Sequence, residues 1–375
     1  MLKKLQVELT TRCNLECSYC HRRSLKTNDI APEVFEKLSG SAKEYVVYGY
    51  GEPLLHPQFS RLVERLDGKI TVSTNGMVEA DLSFADRVGV SLDIDDYYRK
   101  GFQNDNVLRL FRQLGEKAVA QVVVTRRNFR ALPTLFERVA ELGSGMLLTN
   151  VVAPNERIYE DVAYFEGSRP NVEKATDLDD RMLVNAIIDC SKGGGEALEA
   201  YYRLLRDVYS EGYSINLLSI LEEKERIRLA TEAEGVVERL REVAEEYGVE
   251  LIEARFFGDA KRRECPYRGA VFVRADGVVS SCMTFAYRHR EFVNGHEKVV
   301  DSFVVGDLRS EDVDDAIERI QDFERMRENM ENFPWCADCP YVRGCWYAGR
   351  SADCYANEPS CSECLYSSGI ARCLL

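Results

Sequence analysis

Residues 5–20 read Leu5-Gln6-Val7-Glu8-Leu9-Thr10-Thr11-Arg12-Cys13-Asn14-Leu15-Glu16-Cys17-Ser18-Tyr19-Cys20. Leu5–Thr10 has the length and composition of a strand. Three cysteines follow on a loop, spaced C-x3-C-x2-C. Thiolates on one short loop converge on one metal centre. Three satisfy three irons of a cubane and leave the fourth open, whereas a purely electron-carrying cluster normally has four. An open iron is a binding position, by the logic that separates catalytic from structural zinc. The alternative is a zinc knuckle, whose fourth ligand would be His21. Adjacent Cys20 and His21 suit one tetrahedral ion poorly, and the spacing is not the paired C-x2–4-C of zinc ribbons.

Outward from this loop, short β-branched runs alternate with helical patterns. Leu5–Thr10, Tyr45–Gly49, Lys69–Ser73, Val88–Leu92, Ala118–Thr125 and Met146–Val152 are predicted strands. Pro32–Leu38, Gln58–Leu66, Asp81–Arg87, Asn104–Leu114 and Leu132–Leu142 are predicted helices. Pro32 and Pro133 sit where a first helical turn tolerates proline. Such alternation implies a mainly parallel sheet with right-handed crossovers, either open or rolled into a barrel.

Beyond residue 152, Asp177–Asp189 and Glu196–Tyr209 are predicted helices. The Gly193–Gly195 run between them has no preceding strand and no following Lys-Ser/Thr, so it reads as a loop, not a phosphate cradle. Glu222–Tyr247 is a long amphipathic helix and Val249–Ala254 a strand. Lone Cys190, beside Val184, Ile187 and Ile188, is expected to be a buried thiol. From Cys265 segments shorten. Ala270–Arg274 and Val278–Cys282 form a predicted hairpin around Ala275-Asp276-Gly277. Asp312–Asn329 reads as one helix, and a loop-rich tail follows whose rigidity needs another source, such as cysteine-ligated metal.

The chain has 375 residues and 13 cysteines. That length buries a sizeable core without disulfide staples. Its formal charge of −14 argues against binding nucleic-acid phosphates. No apolar run approaches the ~20 residues of a membrane-spanning helix, and the N-terminus lacks a signal-peptide h-region. The expected compartment is the cytoplasm, where clustered cysteines point to metal or redox chemistry.

The segment from residue 5 to about 152 resembles the radical S-adenosylmethionine (SAM) superfamily, whose motif is C-x3-C-φ-C with φ aromatic, matched here by Tyr19. The resemblance implies an α/β fold, a partial (β/α)6 TIM-type barrel. It further implies that Cys13, Cys17 and Cys20 hold a [4Fe–4S] cluster whose fourth iron takes SAM, and that a ferredoxin- or flavodoxin-type donor supplies the electron. Gly49-Tyr50-Gly51-Glu52-Pro53 matches the family's G-G-E-P motif, with Tyr50 in place of a glycine. By the same resemblance Tyr19, Gly51, Glu52, Asn75, Ser91 and Asp93 are cofactor-binding candidates, at successive strand ends as in barrels whose ligands sit at the C-terminal face. Arg126 and Asn128 fit a solvated loop better than a SAM contact.

Nine cysteines follow residue 260: Cys265, Cys282, Cys336, Cys339, Cys345, Cys354, Cys361, Cys364 and Cys373. Two fully ligated cubanes need eight thiolates, and one or two structural zincs are the alternative. The pattern Cys265-x11-Gly277-x4-Cys282, then Cys336-x2-Cys339-x5-Cys345, resembles the SPASM extension of radical SAM enzymes. The next cysteine, Cys354, follows after eight residues where the family has three, and Cys361 and Cys364 are an extra pair. The resemblance implies a C-terminal cysteine-rich SPASM/twitch domain with two auxiliary [4Fe–4S] clusters. It directs Cys265, Cys282 and Cys354 toward one and Cys336, Cys339 and Cys345 toward the other, with Cys361, Cys364 and Cys373 competing for the remaining places. The expected division is a core barrel over 1–155, a helical connection over 156–258 and the cluster domain over 259–375.

The tail from Glu358 to Cys373 and Leu148-Thr149-Asn150 look like archaeal SPASM proteins that accompany tungsten-dependent aldehyde ferredoxin oxidoreductases. The expected function is reductive cleavage of SAM to a 5′-deoxyadenosyl radical. That radical would serve oxidative modification of a peptide or protein, or maturation of a tungsten-enzyme cofactor. A non-catalytic iron–sulfur or zinc-binding interaction protein with a degenerate core is the alternative.

Overall fold

Short runs of Val, Ile and Tyr with every second or every residue buried make the strands, because a pleated chain covered on both faces suits such side chains. The computed structural model describes residues 2–92, 105–175, 178 and 181–374. Its strands are β1 (Leu2–Val7), β2 (Ala42–Val47), β3 (Lys69–Thr74), β4 (Arg87–Ser91), β5 (Ala118–Val124) and β6 (Gly145–Asn150). There follow β7 (Phe165–Ser168), β8 (Leu251–Ile252), β9 (Phe257–Gly258), β10 (Ala270–Val273), β11 (Val278–Ser280), β12 (His289–Val293), β13 (His296–Val300) and β14 (Val304–Asp307).

One ten-stranded sheet runs β14-β11-β10-β1-β2-β3-β4-β5-β6-β8. From β1 to β6 every neighbour pair is parallel and in chain order. A sequential order with right-handed crossovers keeps the helices on one side, so the sheet curls as a partial barrel; a doubly wound sheet needs an order that reverses. The fold is α/β, with the cysteine-rich segment after it. The C-terminal half is joined to this sheet: β10 pairs parallel with β1, Lys4 opposite Ala270, and β11 then β14 extend it antiparallel. The second hairpin, β12–β13, turns at Asn294-Gly295, where both residues have positive φ (53° and 75°). That is the two-residue turn whose twist matches paired strands.

The other elements depart from expectation in a few places. Asp81–Arg87 is not helical: Ser83 and Phe84 form a turn and Arg87 already begins β4. Its aspartates bond to backbone instead, Asp81 Oδ1 accepting from Ser83 N at 2.9 Å and Asp86 Oδ2 from Ile70 N at 2.8 Å. Such local bonds compete with a helix. The expected helix over 312–329 is two, Val313–Arg319 and Gln321–Glu328, separated at Ile320. The strand expected over 249–254 is only Leu251–Ile252. The long helix is Lys224–Tyr247, ending on Gly248 in the left-handed region. Cys190, at the end of the helix Met182–Ser191, is exposed, as are Val184, Ile187 and Ile188, so the buried-thiol expectation is overturned. That helix packs on Glu196–Ser210, buries Met182 and Ala186, and leaves Val184, Ile187 and Ile188 exposed. No helix among the described residues is long and apolar enough to cross a membrane.

Candidate active site and cysteine centres

The loop leaving β1 carries Cys13, Cys17 and Cys20, and all three line one cavity with Tyr19, Gly51, Glu52, Asn75 and Ser91. Its space is about 1210 Å³, counted with its open mouth. Each of these residues follows or ends one of β1 to β4, at the C-terminal rim of the parallel strands. Asp93 lies outside the described residues. Arg126 and Asn128 stay off the cavity: Arg126 pairs with Glu225, and Asn128 is spent on its own turn, bonding Thr125 N and Val123 O.

The rim is fastened by polar side chains. Gly51 is obligatory, because a Cβ there would lie 2.0 Å from the Thr10 carbonyl oxygen and 2.8 Å from that of Arg12. This closeness lets Glu52 N donate to Arg12 O at 2.7 Å. The Glu52 carboxylate is 2% exposed. It accepts from Leu54 N (3.2 Å), Thr74 Oγ1 (2.8 Å) and Asn75 N (2.7 Å), so it ties the ends of β2 and β3 together. Asn75 then reaches the cysteine loop, donating from Nδ2 to Asn14 Oδ1 at 2.7 Å. Burial pushes the Cys13 and Cys20 thiols above their ordinary range.

Two contributors were not foreseen. Glu8, buried at the end of β1, accepts from Tyr50 N at 2.7 Å and from the Tyr287 hydroxyl, joining the rim to the C-terminal half. Burial raises its pKa. Its side chain is also why residue 49 is glycine, a Cβ there meeting Glu8 Cγ at 2.5 Å. The second is the C-terminal tail, which enters the barrel. Arg372 N donates to Thr149 Oγ1 at 2.8 Å, and Asn150 Nδ2 donates to Ile370 O at 3.1 Å. Leu374 packs on Val119 and Leu147, inward residues of β5 and β6. Cys373 and Tyr366 thereby line the same cavity as the first three cysteines. The tail runs from the C-terminal end of β6, at Asn150 and Thr149, towards Val119 near the N-terminal end of β5, and Cys373 lies between.

The other eight late cysteines fall into two groups. Cys265, Cys282, Cys361 and Cys364 line a second cavity of about 500 Å³. Cys336 sits beside Cys339, and Cys354 lies close enough to Cys339 and Cys345 to feel their charge. This differs from the expected division: Cys354 joins the 336–345 segment, and the pair Cys361/Cys364 completes the set with Cys265 and Cys282. The eight-residue gap before Cys354 is spanned by an exposed loop around Trp346 and Tyr347, which brings it back. Burial pushes the Cys265 and Cys336 thiols up to about 12 and Cys364 to about 11.

Buried cations surround these thiols. Arg327 and Lys298 line the second cavity, 3% and 4% exposed. Burial works against the Arg327 charge, and Cys265, Cys282 and the paired Glu324 carboxylate together more than offset it. For Lys298, burial is likewise outweighed by Glu363 and Glu291. Arg263 lies between the groups, near Cys361, Cys364 and Cys336. Arg327 pairs with Glu324 and Lys298 with Glu363, while Arg263 donates to the carbonyls of Ala260 and Pro334, so Arg263 is the cation that neutral thiols would leave least compensated. Thiolates of a bound cluster supply the opposite charge. The donor chemistry therefore fits iron–sulfur ligation in both halves: three thiols at an open cavity in one, sets of four among cations in the other.

A further buried group abuts the first loop. Burial and neighbouring His289 lower the His21 pKa to about 4. Burial alone would raise Glu291, but His289, with Lys298 and His21 adding to it, outweighs burial and brings it to about 2.

Residues 7–127 match the radical SAM superfamily, and residues 265–340 match the SPASM family, described as an iron-sulfur cluster-binding domain. The chain is 24% identical, over 411 aligned positions covering 99% of it and 97% of the relative, to the tungsten-containing aldehyde ferredoxin oxidoreductase cofactor-modifying protein of Pyrococcus furiosus. Over 165 positions it is 30% identical to a probable GTP 3′,8-cyclase of Methanopyrus kandleri, covering 38% of this chain and 54% of that one. Among solved structures, Streptococcus suis SuiB bound to its precursor peptide SuiA aligns with TM-score 0.49 and 14% identity, over 92% of this chain and 71% of that one.

Proposed function

For this radical SAM protein with its SPASM extension, we propose reductive cleavage of SAM in the service of oxidative modification of a peptide or protein, the specific target being a tungsten enzyme or its cofactor. The name of the Pyrococcus relative, matched along almost its whole length, supports that target. The observation that carries the reading is that Cys13, Cys17 and Cys20 line one cavity with the β2–β4 rim. When bound there, a [4Fe–4S] cluster with SAM supplies a 5′-deoxyadenosyl radical that abstracts a hydrogen atom.

The chain's own residues do the rest. Glu52 and Asn75 hold the cysteine loop against the strand ends, and Tyr19 and Ser91 offer polar groups to the nucleoside or amino-acid part of SAM. Asp93 belongs to the same proposed set. The cavity walls exclude water from a reactive radical. Cys265, Cys282, Cys361 and Cys364 are the proposed ligands of one auxiliary cluster, and Cys336, Cys339, Cys345 and Cys354 of the other. Tyr366 lines both the first and second cavities. It would form the wall between a substrate in the first cavity and a cluster held by Cys265, Cys282, Cys361 and Cys364, which would supply an electron acceptor. A ferredoxin- or flavodoxin-type protein is the proposed donor to the first cluster.

The test uses anaerobically reconstituted protein with SAM, dithionite and the apoprotein of a tungsten-dependent aldehyde oxidoreductase, deuterated throughout. Deuterium appearing in 5′-deoxyadenosine, with a target peptide lighter by two hydrogens, supports the reading. Cleavage of SAM with no deuterium transfer rejects that target but keeps the chemistry. No cleavage under any condition favours the non-catalytic metal-binding alternative.

A further inference from the structure

The loop of Cys13, Cys17 and Cys20 runs on into His21, which meets β12 of the C-terminal half. The His21 and His289 rings lie 4.5 Å apart, tilted by 59°. A ring nitrogen of each and a carboxylate oxygen of Glu291 lie within 4.8 Å of one another.

The hydrogen bonds around these rings fix where their lone pairs point. His289 Nδ1 is 2.8 Å from the Tyr287 carbonyl oxygen, and its Nε2 is 3.1 Å from Glu291 Oε1. His21 Nε2 is buried and makes no hydrogen bond, while the Val152 carbonyl takes the ring's other nitrogen. Carbonyls only accept, so each Nδ1 carries a hydrogen. Two Nε2 positions then face one carboxylate, and a cation is required between them. A proton serves His289 and Glu291 but leaves His21 Nε2 without a partner. A metal ion serves all three.

We propose that His21, His289 and Glu291 bind a divalent first-row cation, with a coordination position left open to an oxygen or nitrogen donor. Two histidines and one carboxylate are a set that holds zinc or ferrous iron and leaves positions free. Metal-ligating histidines almost always donate their other N–H to a carbonyl or carboxylate, the arrangement both rings have here. Bonds of ~2.0–2.2 Å at tetrahedral angles place ligand atoms about 3.3–3.6 Å apart, so the group closes by up to about 1.5 Å around the ion. Nearby cations have carboxylates of their own: Lys298 with Glu363 at 3.5 Å, Arg288 with Asp301 at 3.1 Å and Arg290 with Glu297 at 2.7 Å. Lys298 also faces Glu291. Both histidines also line a cleft of about 1100 Å³, counted with its open mouth, together with Arg23 and Pro154. The ion fastens the first cysteine loop to the C-terminal half and gives a ligand in that cleft an anchor.

The test equilibrates anaerobically reconstituted, desalted protein with zinc, then measures iron and zinc per chain and the zinc X-ray fine structure. The expected result is one zinc beyond the iron, with nitrogen and oxygen neighbours at ~2.0–2.1 Å and none of the sulfur at ~2.3 Å that a cysteine site gives. His289→Gln and Glu291→Gln should each weaken zinc binding by more than about 100-fold, beyond the 10–100-fold typical of an outer-shell partner. Their iron content should stay that of the parent. No additional zinc, a sulfur shell, or wild-type zinc affinity in both variants overturns the proposal. The wild-type spectrum decides even where a variant fails to fold, and since zinc is read apart from SAM cleavage, failure here leaves the radical reading standing.

Discussion

Replacing Gly51 with alanine tests how the two rim loops meet. The added Cβ would sit 2.0 Å from the Thr10 carbonyl oxygen and 2.8 Å from that of Arg12. Both are backbone atoms of the segment leading to Cys13, so no side-chain rotation relieves the contact. Non-bonded heavy atoms relax near ~3.5 Å, which means the loops must part by about 1.5 Å. Overpacking of this kind costs roughly 1–3 kcal/mol. The 2.7 Å bond from Glu52 N to Arg12 O is broken by the same movement. Its buried partners then add roughly 1–3 kcal/mol. The sum is a loss of about 2–6 kcal/mol, read as a lower urea midpoint at unchanged slope. The reacting geometry suffers as well, since a displacement of about 1 Å costs roughly 100-fold in rate. Reductant-dependent 5′-deoxyadenosine formation should fall by at least that much. A Gly51→Ala protein within about 0.5 kcal/mol of the parent and cleaving SAM at the parent rate would refute the close approach.

Other expectations are independent of that one. Gly235 lies inside the helix Lys224–Tyr247 with nothing within 4 Å of its would-be Cβ. Gly235→Ala should therefore raise stability by about 0.5–1 kcal/mol in urea, and a loss would show the helix is interrupted there. Glu52→Gln keeps the shape but loses an ionised acceptor for Asn75 N or Thr74 Oγ1; stability should drop by about 1.5–3 kcal/mol, and an unchanged urea midpoint would contradict the bonding described. Tyr366→Phe keeps the wall between the first two cavities but removes its hydroxyl. SAM cleavage without substrate should be unchanged while product formed per 5′-deoxyadenosine falls, and a parent-like ratio would remove Tyr366 from the electron path.

Much of the first site is legible in the chain because its parts are local. C-x3-C-x2-C sits on one loop, and Gly51-Glu52 and Ser73-Thr74-Asn75 directly follow or end strands that their own composition reveals. The sequential strand order follows from alternation and handedness. What escaped depends on contacts across the chain. Cys373 reads as one more member of the late cysteine field; only the bonds of Arg372 to Thr149 and Ile370 to Asn150 put it inside the barrel. Cys354, expected with Cys265 and Cys282, falls with the 336–345 segment because a loop of irregular length returns it there, and Cys361 and Cys364, left unassigned in the sequence, complete the other set. Cys190 looks buried beside Val184 and Ile187, yet among the described residues its helix packs against Glu196–Ser210 and leaves that face exposed. One signal was available: Asn294-Gly295 between two β-type runs is a strong short-range hairpin pattern, and that hairpin carries His289 and Glu291.

The most direct test of the central claim counts iron and 5′-deoxyadenosine together in anaerobically reconstituted protein and in a Cys13/Cys17/Cys20→Ala variant. The account predicts about twelve irons per chain, as three cubanes of four, falling to about eight in the variant along with all reductant-dependent SAM cleavage. Full iron loading with no cleavage by the parent, or cleavage that survives loss of the three cysteines, would contradict it.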